Sequence, residues 1–328
     1  MRQPTMKALL LHRPGDDYAL TLADVPTPIP GPGEVRLRVR ASSINPVDHK
    51  FARSGAGLAL PHVLGIDAAG EIDALGPEVQ GWRLGDRVMA LTNLYRWGGF
   101  AEQVIVDARV LSRLPDALSF ERAAAIPCAG LTAWQAVHLK LNLRPGQTVL
   151  VSGAGGGVGG YVVQMTQQLG ARVIGTTARS GERVQALGAA AVIDYRQGDV
   201  VTQAMTLTQG RGVDAVIDLV SAASATSLLP LLRHNGALVC VVGRPRDADL
   251  PAWGKAISLH DVALGFAYQH GDGESLRDIG RAGETVATWV AEGLLDPQVA
   301  RVISLAEVPD ALRETSAGLN QGKVVIRL

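Results

Sequence analysis

Between Thr148 and Arg179 the chain reads TVLVSGAGGGVGGYVVQMTQQLGARVIGTTAR, with glycines at 153, 155, 156, 157, 159 and 160. A short apolar run, 149–151, precedes the glycines, and an apolar-periodic stretch, 159–169, follows them. Gly170–Ala171 closes that stretch, and a second apolar run covers 172–176. The order is strand, Gly-rich turn, helix, strand, and the chemistry it suits is the binding of a dinucleotide pyrophosphate. A Cβ in such a turn would hold a phosphate away from the bare N–H groups of the helix N-terminus. The register that fits is Ala154–x–Gly156–x–x–Gly159, with Gly155, Gly157 and Val158 between, although so many glycines permit other registers. Gly156 is expected to let the backbone approach the pyrophosphate, and Gly159 to let the helix pack on the sheet. A flexible turn without a ligand is the rival reading; the correctly placed strand and helix weigh against it.

The residue after the second strand reads the adenosine ribose, and an Asp or Glu there accepts from the hydroxyls of NAD. Here the chain runs Gly175–Thr176–Thr177–Ala178–Arg179–Ser180–Gly181–Glu182–Arg183, with no acid at the strand end. Arg179 and Ser180 stand where a 2′-phosphate would lie, with Arg183 one helical turn on. A guanidinium fork suits phosphate oxygens, so NADPH is the expected cofactor. Glu182 is expected to face solvent, and the competing reading makes both arginines solvated residues of a helix start. Val220, Ser221 and Gly243 fall at the C-terminal ends of the fourth and fifth strands of the same alternation, where such sheets bind ligands.

Two textures must position these residues. Over 7–125 short alternating runs (7–11, 26–33, 35–41, 70–75, 87–90 and 101–106) are separated by Gly and Pro, which reads as an irregular β-barrel or sandwich. Pro28, Pro30 and Pro32 keep 26–33 out of any central strand. Val35, Leu37 and Val39 alternate with Arg36, Arg38 and Arg40, whose side chains are expected to form a solvated face. Ser119 is placed to cap a helix through 123–125, Pro127 to interrupt, and 130–139 to form another helix. From Thr148 strands (148–152, 172–176, 191–194, 213–219, 237–242) alternate with helices (159–169, 182–187, 199–208, 222–233), the pattern of a parallel doubly wound α/β sheet. The tail offers a long helix over 274–292, a strand at 299–305, a short helix at 307–317 and a last strand at 323–328, and it is expected to return to the first domain. A formal net charge of zero argues against nucleic-acid partners. No apolar run approaches the ~18 residues of a membrane helix. Two distant cysteines, Cys128 and Cys240, fit a reducing cytoplasm. His62, His138, His234, His260 and His270 show no metal-ligand spacing.

Read as a whole, the chain resembles the medium-chain dehydrogenase/reductase superfamily, and within it the zinc-independent quinone oxidoreductase (zeta-crystallin-like) branch. The stretches that carry the resemblance are Ser43–Ile44–Asn45–Pro46–Val47–Asp48, Pro61–His62–Val63–Leu64–Gly65–Ile66–Asp67–Ala68–Ala69–Gly70, Gly85–Asp86–Arg87–Val88, and Gly98–Gly99–Phe100–Ala101–Glu102. They continue with Ile126–Pro127–Cys128–Ala129–Gly130–Leu131–Thr132–Ala133–Trp134, the glycine stretch, and Gly322–Lys323–Val324–Val325. The resemblance implies a GroES-like β-rich catalytic domain, residues 1–126 and 270–328, wrapped around a Rossmann domain, residues 127–269. It implies that Asn45 and Thr132 lie at the nicotinamide, that Asn45 donates to a developing oxyanion, that Lys323 is among the cofactor-binding residues, and that Tyr195 lies against the 2′-phosphate. Asp48 and Asp67 are expected to be loop-fixing acceptors. Either Lys50 or Phe51 falls where relatives carry a pocket tyrosine. Zinc-dependent relatives place ligands at positions held here by Asn45, Ile66 and Cys128; Ile66 cannot ligate and Asn45 is a poor ligand, so no zinc is expected. Tyr95, Trp97, Phe266 and Tyr268 could stack on a planar acceptor. The implied activity is hydride transfer from NADPH to a quinone. Enoyl or enone reduction and a non-catalytic NADPH-binding role are the alternatives, and a homodimer is the implied assembly.

Overall fold

The computed structural model describes residues 4–250 and 253–328. The chain forms two compact units, one of Met1–Leu131 with Gly265–Leu328, the other of Thr132–Leu264.

The first unit carries β1 (Thr5–Leu11), β2 (Leu20–Pro26), β3 (Glu34–Ser43), α1 (Pro46–Ser54), β4 (His62–Val63), β5 (Asp67–Leu75), β6 (Arg87–Leu91), β7 (Gln103–Asp107), β8 (Ser112–Arg113) and α2 (Phe120–Ala124). The chain passes from this unit to the next inside α3 (Pro127–Trp134). The second unit carries β9 (Thr148–Ser152), α4 (Gly157–Gln168), β10 (Arg172–Thr176), α5 (Gly181–Ala186), β11 (Ala191–Ile193), α6 (Val200–Leu207), β12 (Val213–Asp218), α7 (Ala222–Leu228), β13 (Leu232–Cys240) and β14 (Ser258–Asp261). The first unit is completed by α8 (Ala267–His270), α9 (Gly273–Ala291), β15 (Val299–Ser304), α10 (Val308–Ser316) and β16 (Lys323–Arg327).

In the first unit β3 is the spine of a seven-stranded sheet, ordered β15-β16-β3-β5-β6-β8 with β7 also on β3. One edge of β3 takes β5; the other is shared, β7 along Glu34 to Arg38 and β16 along Ala41 to Ser43. That division brings the start of β16 beside the end of β3, although the two are separated by most of the chain. Val35, Leu37, Val39 and Ala41 are buried. The arginines between them are not simply solvated. Arg36 pairs with Asp73 at 2.7 Å and Arg40 with Glu71 at 2.7 Å, across the β3–β5 ladder. The smaller sheet, β2-β1-β4, shows that the strand near residue 26 precedes it: Leu20–Pro26 pairs with β1, and the proline-rich 27–33 is not a strand. Prolines 28, 30 and 32 lack the N–H that a ladder requires. Pro127 opens α3 rather than interrupting it, since a first-turn N–H has no intrahelical partner to lose. The helix expected to 139 ends at Trp134 and continues as a π-helical turn, Gln135–Leu139.

In the second unit the sheet is parallel, in the order β11-β10-β9-β12-β13-β14. The order reverses between β9 and β12, the switch point at which such sheets bind ligands. Leu150, Ile174, Val216 and Leu238 form its buried core. The sixth strand, β14, was not legible in the sequence. Ser-Leu-His-Asp has no apolar alternation, and only pairing with Ala237 to Cys240 of β13 makes it a strand.

Candidate functional site

The turn from β9 to α4 is built of glycines with separate tasks. Gly153 has φ 78°, a left-handed conformation. Ala154 N donates to the Thr176 carbonyl at 3.0 Å and Gly153 N to Thr176 Oγ1 at 3.2 Å, which braces the turn against the end of β10. A Cβ on Gly159 would lie 2.4 Å from the Gly153 carbonyl oxygen and 2.6 Å from Ala154 Cα. The close approach that Gly159 permits is therefore to the turn itself rather than to the sheet. A Cβ on Gly155 would lie 2.5 Å from Thr177 Oγ1. Gly156 differs: it is exposed, and a Cβ there would meet only the Gly153 oxygen at 3.5 Å. Nothing in the protein's own packing requires glycine at 156, so the space beside it is a cradle that a side chain would fill. The N-cap of α4, Gly156, has no side chain to cap the helix, and no acid sits in its first turn, from Gly157 through Val158 and Gly159. That N-terminus favours an anion.

The end of β10 joins this turn. Thr177 is buried, and its hydroxyl accepts from Arg179 N at 3.5 Å and Ser180 N at 3.4 Å, both long bonds. Ser180 is buried while Arg179 is exposed. Arg183 donates from Nη2 to the Gly155 carbonyl. Gly155, Thr177, Ser180 and Arg183 thus form one group. Tyr195 follows β11 and is 54% exposed, and Val220 follows β12 and is 50% exposed. Gly243 follows β13, where a Cβ would come within 3.1 Å of Ala222 N. Thr132, in α3, is 6% exposed. Sequence reasoning missed Asp218, whose Oδ1 accepts from Val220 N and Ser221 N at 3.0 Å each and whose Oδ2 accepts from the Ser224 hydroxyl. The signal was present: an acid closing the apolar run of β12.

The first unit holds a buried polar cluster. Lys323 Nζ donates to Asn45 Oδ1 at 2.7 Å, Asp67 Oδ2 at 3.3 Å and the Ile44 carbonyl at 3.3 Å. Asn45 Nδ2 donates to Asp67 Oδ2 at 2.7 Å and to the Ser43 carbonyl at 3.3 Å. The Ser43 hydroxyl also donates to Asp67 Oδ2, and Cys128 N donates to Asp67 Oδ1 at 2.7 Å. Lysine only donates and a carboxylate only accepts, so the Asn45 amide has one possible orientation here. Asp48 accepts from Asn45 N at 2.9 Å and from Gly65 N and Ile66 N at 3.2 Å each. Asn45, Asp48, Asp67 and Lys323 are each at most 3% exposed. Burial, and then the charge of Asp67, push the Asp48 carboxyl up to about 7 against the pull of the backbone N–H groups and Lys323.

This geometry changes two expectations. The ammonium of Lys323 has three protons and three internal acceptors, so none remains for a cofactor. Both amide protons of Asn45 are engaged, so donation to an acceptor oxygen requires one of those bonds to break. The set at 45, 66 and 128 also fits a metal poorly. The Asn45 oxygen holds a cation already, Ile66 is aliphatic, and burial pushes the Cys128 thiol far above its usual range. Among the described residues no group of three or more His, Cys, Asp and Glu is arranged to hold a metal ion. Of the aromatic candidates, Tyr268 packs internally with its hydroxyl on the Leu91 carbonyl at 2.6 Å. Phe266 stacks on His270 with centroids 6.0 Å apart, and Tyr95 meets Phe51 edge-on at 5.7 Å. Lys50 is exposed and Phe51 half-buried on α1.

Two family models match the chain, "Alcohol dehydrogenase GroES-like domain" over residues 31–116 and "Zinc-binding dehydrogenase" over residues 187–326. The quinone oxidoreductase of Sus scrofa is 31% identical over 274 residues, 80% of this chain and 81% of that protein. The phthioceranic/hydroxyphthioceranic acid synthase of Mycobacterium tuberculosis is 32% identical over 328 residues, 98% of this chain. The chain spans only 15% of that synthase's length. Among solved structures, the quinone oxidoreductase of Coxiella burnetii aligns with a TM-score of 0.86 and 29% identity, over 99% of this chain and 100% of that one.

Proposed function

The chain belongs to the medium-chain dehydrogenase/reductase superfamily, in its quinone-oxidoreductase-like branch, and from that premise we propose that it is an NADPH-dependent, zinc-free reductase of a quinone or similar electrophilic carbonyl. The observation that carries the cofactor choice is the end of β10. Its Thr176–Thr177 pair bears no carboxylate, Thr177 is turned to the backbone of Arg179 and Ser180, and Arg179 stands exposed beside them. A carboxylate there would favour ribose hydroxyls and repel a 2′-phosphate; a guanidinium does the reverse.

Bound nicotinamide supplies the hydride, and the protein supplies placement and electrostatics. The open side of the glycine turn and the α4 N-terminus hold the pyrophosphate. Arg179, Ser180 and Tyr195 hold the 2′-phosphate, and Val220 and Gly243 border the same sheet edge. Asn45 and Thr132 are assigned to the nicotinamide end. Asn45 comes to that role with its amide fixed by Lys323 and Asp67. The residues at 45, 66 and 128 do not suit zinc, and no step is assigned to a metal.

A second reading is reduction of an enoyl or enone acceptor, which asks for the same placement of a hydride donor against an electrophilic carbon. Steady-state oxidation of NADPH and NADH against a panel of quinones and a panel of enones separates the two readings. We expect NADPH to be preferred with at least one panel, and no zinc by elemental analysis of the active protein. Tight NADPH binding with no turnover on either panel would leave a non-catalytic NADPH-binding protein in its place.

A further inference from the structure

The glycine turn is fixed from two sides, and one of them is a side chain of α5. The peptide between Gly155 and Gly156 has its N–H on the Gly153 carbonyl at 3.1 Å and its C=O on Arg183 Nη2. Gly155 also lies tight against Thr177 and Ser180, where a Cβ would approach the two hydroxyl oxygens to 2.5 and 3.3 Å. A peptide flanked by glycines rotates at little steric cost, and a rotated one would turn a carbonyl oxygen toward an incoming phosphate. Peptide planarity means that holding the carbonyl also fixes the N–H on the other side. Arg183 is half-buried, whereas Arg179 is exposed.

We infer that Arg183 is a positioning residue that locks the Gly155–Gly156 peptide for any dinucleotide, while of the two arginines Arg179 discriminates for the 2′-phosphate. This rests on the dinucleotide reading of the turn and divides a pair of arginines that the sequence presents as equivalent. The division has a chemical basis. A guanidinium donating to a backbone carbonyl contributes the same to both cofactors, whereas one facing the ribose responds to the phosphate that only one of them carries.

The test is equilibrium binding of NADPH and of NADH to the full chain without acceptor, followed by nicotinamide fluorescence and by calorimetry. Arg183→Ala should raise both dissociation constants by a similar factor, about tenfold. Arg183→Lys, which keeps a donor, should recover most of both. Arg179→Ala should raise the constant for NADPH about tenfold or more and that for NADH less than about twofold. If Arg183→Ala does not fold, Arg183→Met carries the same comparison while keeping the apolar stem. Loss of NADPH affinity alone in the Arg183 variants, or no loss of either, overturns the inference while leaving the dinucleotide reading standing. A wild-type chain that binds neither cofactor overturns both.

Discussion

The glycine turn of the second unit and the polar cluster of the first are both dense in hydrogen-bonding groups, yet they are organised in opposite ways. In the cluster, Lys323, Asn45, Asp67 and Asp48 are matched donor to acceptor and sealed from solvent. In the turn, bracing is confined to one side, through Thr176, Thr177 and Arg183, and the side at Gly156 is left open. A region whose polar groups are all matched internally holds structure together; a region with an exposed glycine at a helix N-cap leaves room for an anion. Residue type alone does not separate the two, because a lysine or an asparagine can serve either end.

The largest effect expected from this contrast is in the cluster. Lys323→Met leaves two buried carboxylates without their cation and should cost about 3–5 kcal/mol in denaturant unfolding. Asp67→Asn alone should also destabilise, whereas Lys323→Met combined with Asp67→Asn should be less damaging than the two single losses added, because each change removes the other's unpaired partner. If Lys323→Met unfolds at the wild-type midpoint but loses NADPH affinity, Lys323 belongs to the cofactor site and the contrast fails.

Much of the fold could be read from local pattern. The alternation of β3, the strand–turn–helix order around the glycines and the Ser119 cap, whose hydroxyl accepts from Arg122 N, depend on neighbours in sequence. What escaped depends on partners far away. Lys323 and Asn45 are 278 residues apart, and only the split edge of β3 brings them together. In sequence, Lys323 is a polar residue at the start of an apolar strand, which resembles a ligand contact as much as a buried ion pair. β14 exists because β13 offers it an edge, and the 26–33 run, with Ile29 its one apolar side chain besides the prolines, carries no strand past Pro26. At the glycine turn the strand–turn–helix order was legible, but the separate placement of Arg179 and Arg183 was not. It depends on a contact from α5 back to Gly155.

The glycines allow a more direct test of open against closed. Gly159→Ala would drive a Cβ into backbone at 2.4 and 2.6 Å, so the turn must shift, at a cost of about 1–3 kcal/mol and with loss of NADPH binding. Gly156→Ala meets nothing closer than 3.5 Å and has φ −83°, which alanine adopts readily. Its thermal midpoint should stay within about 2 °C of wild type or rise slightly. Its NADPH affinity should nevertheless fall about tenfold, because the added methyl occupies the phosphate's approach. Equal stability losses at 156 and 159 would mean that the turn has no open side.

The smallest effect expected is a dependence on pH confined to the closed region. Asp48 sits at about 7 in the folded chain, above the ordinary carboxylate range, because burial and Asp67 outweigh Lys323 and the three backbone N–H groups. Between roughly pH 4 and 7 the folded state therefore holds a proton that the unfolded chain has released, and stability falls as pH rises through that window. His62 acts in the opposite direction: burial lowers its imidazole, so it is neutral in the fold where the unfolded chain would be charged, and it adds stability as pH rises. The measurement is accordingly a difference, unfolding free energy against pH for wild type minus Asp48→Asn, in which the His62 contribution cancels. That difference should decline by about 2 kcal/mol from pH 5 to pH 7. A flat difference would mean that Asp48 is ionised throughout, with its N–H donors and Lys323 outweighing burial and the charge of Asp67. The cluster would then be closed in its hydrogen bonds but not in its charge.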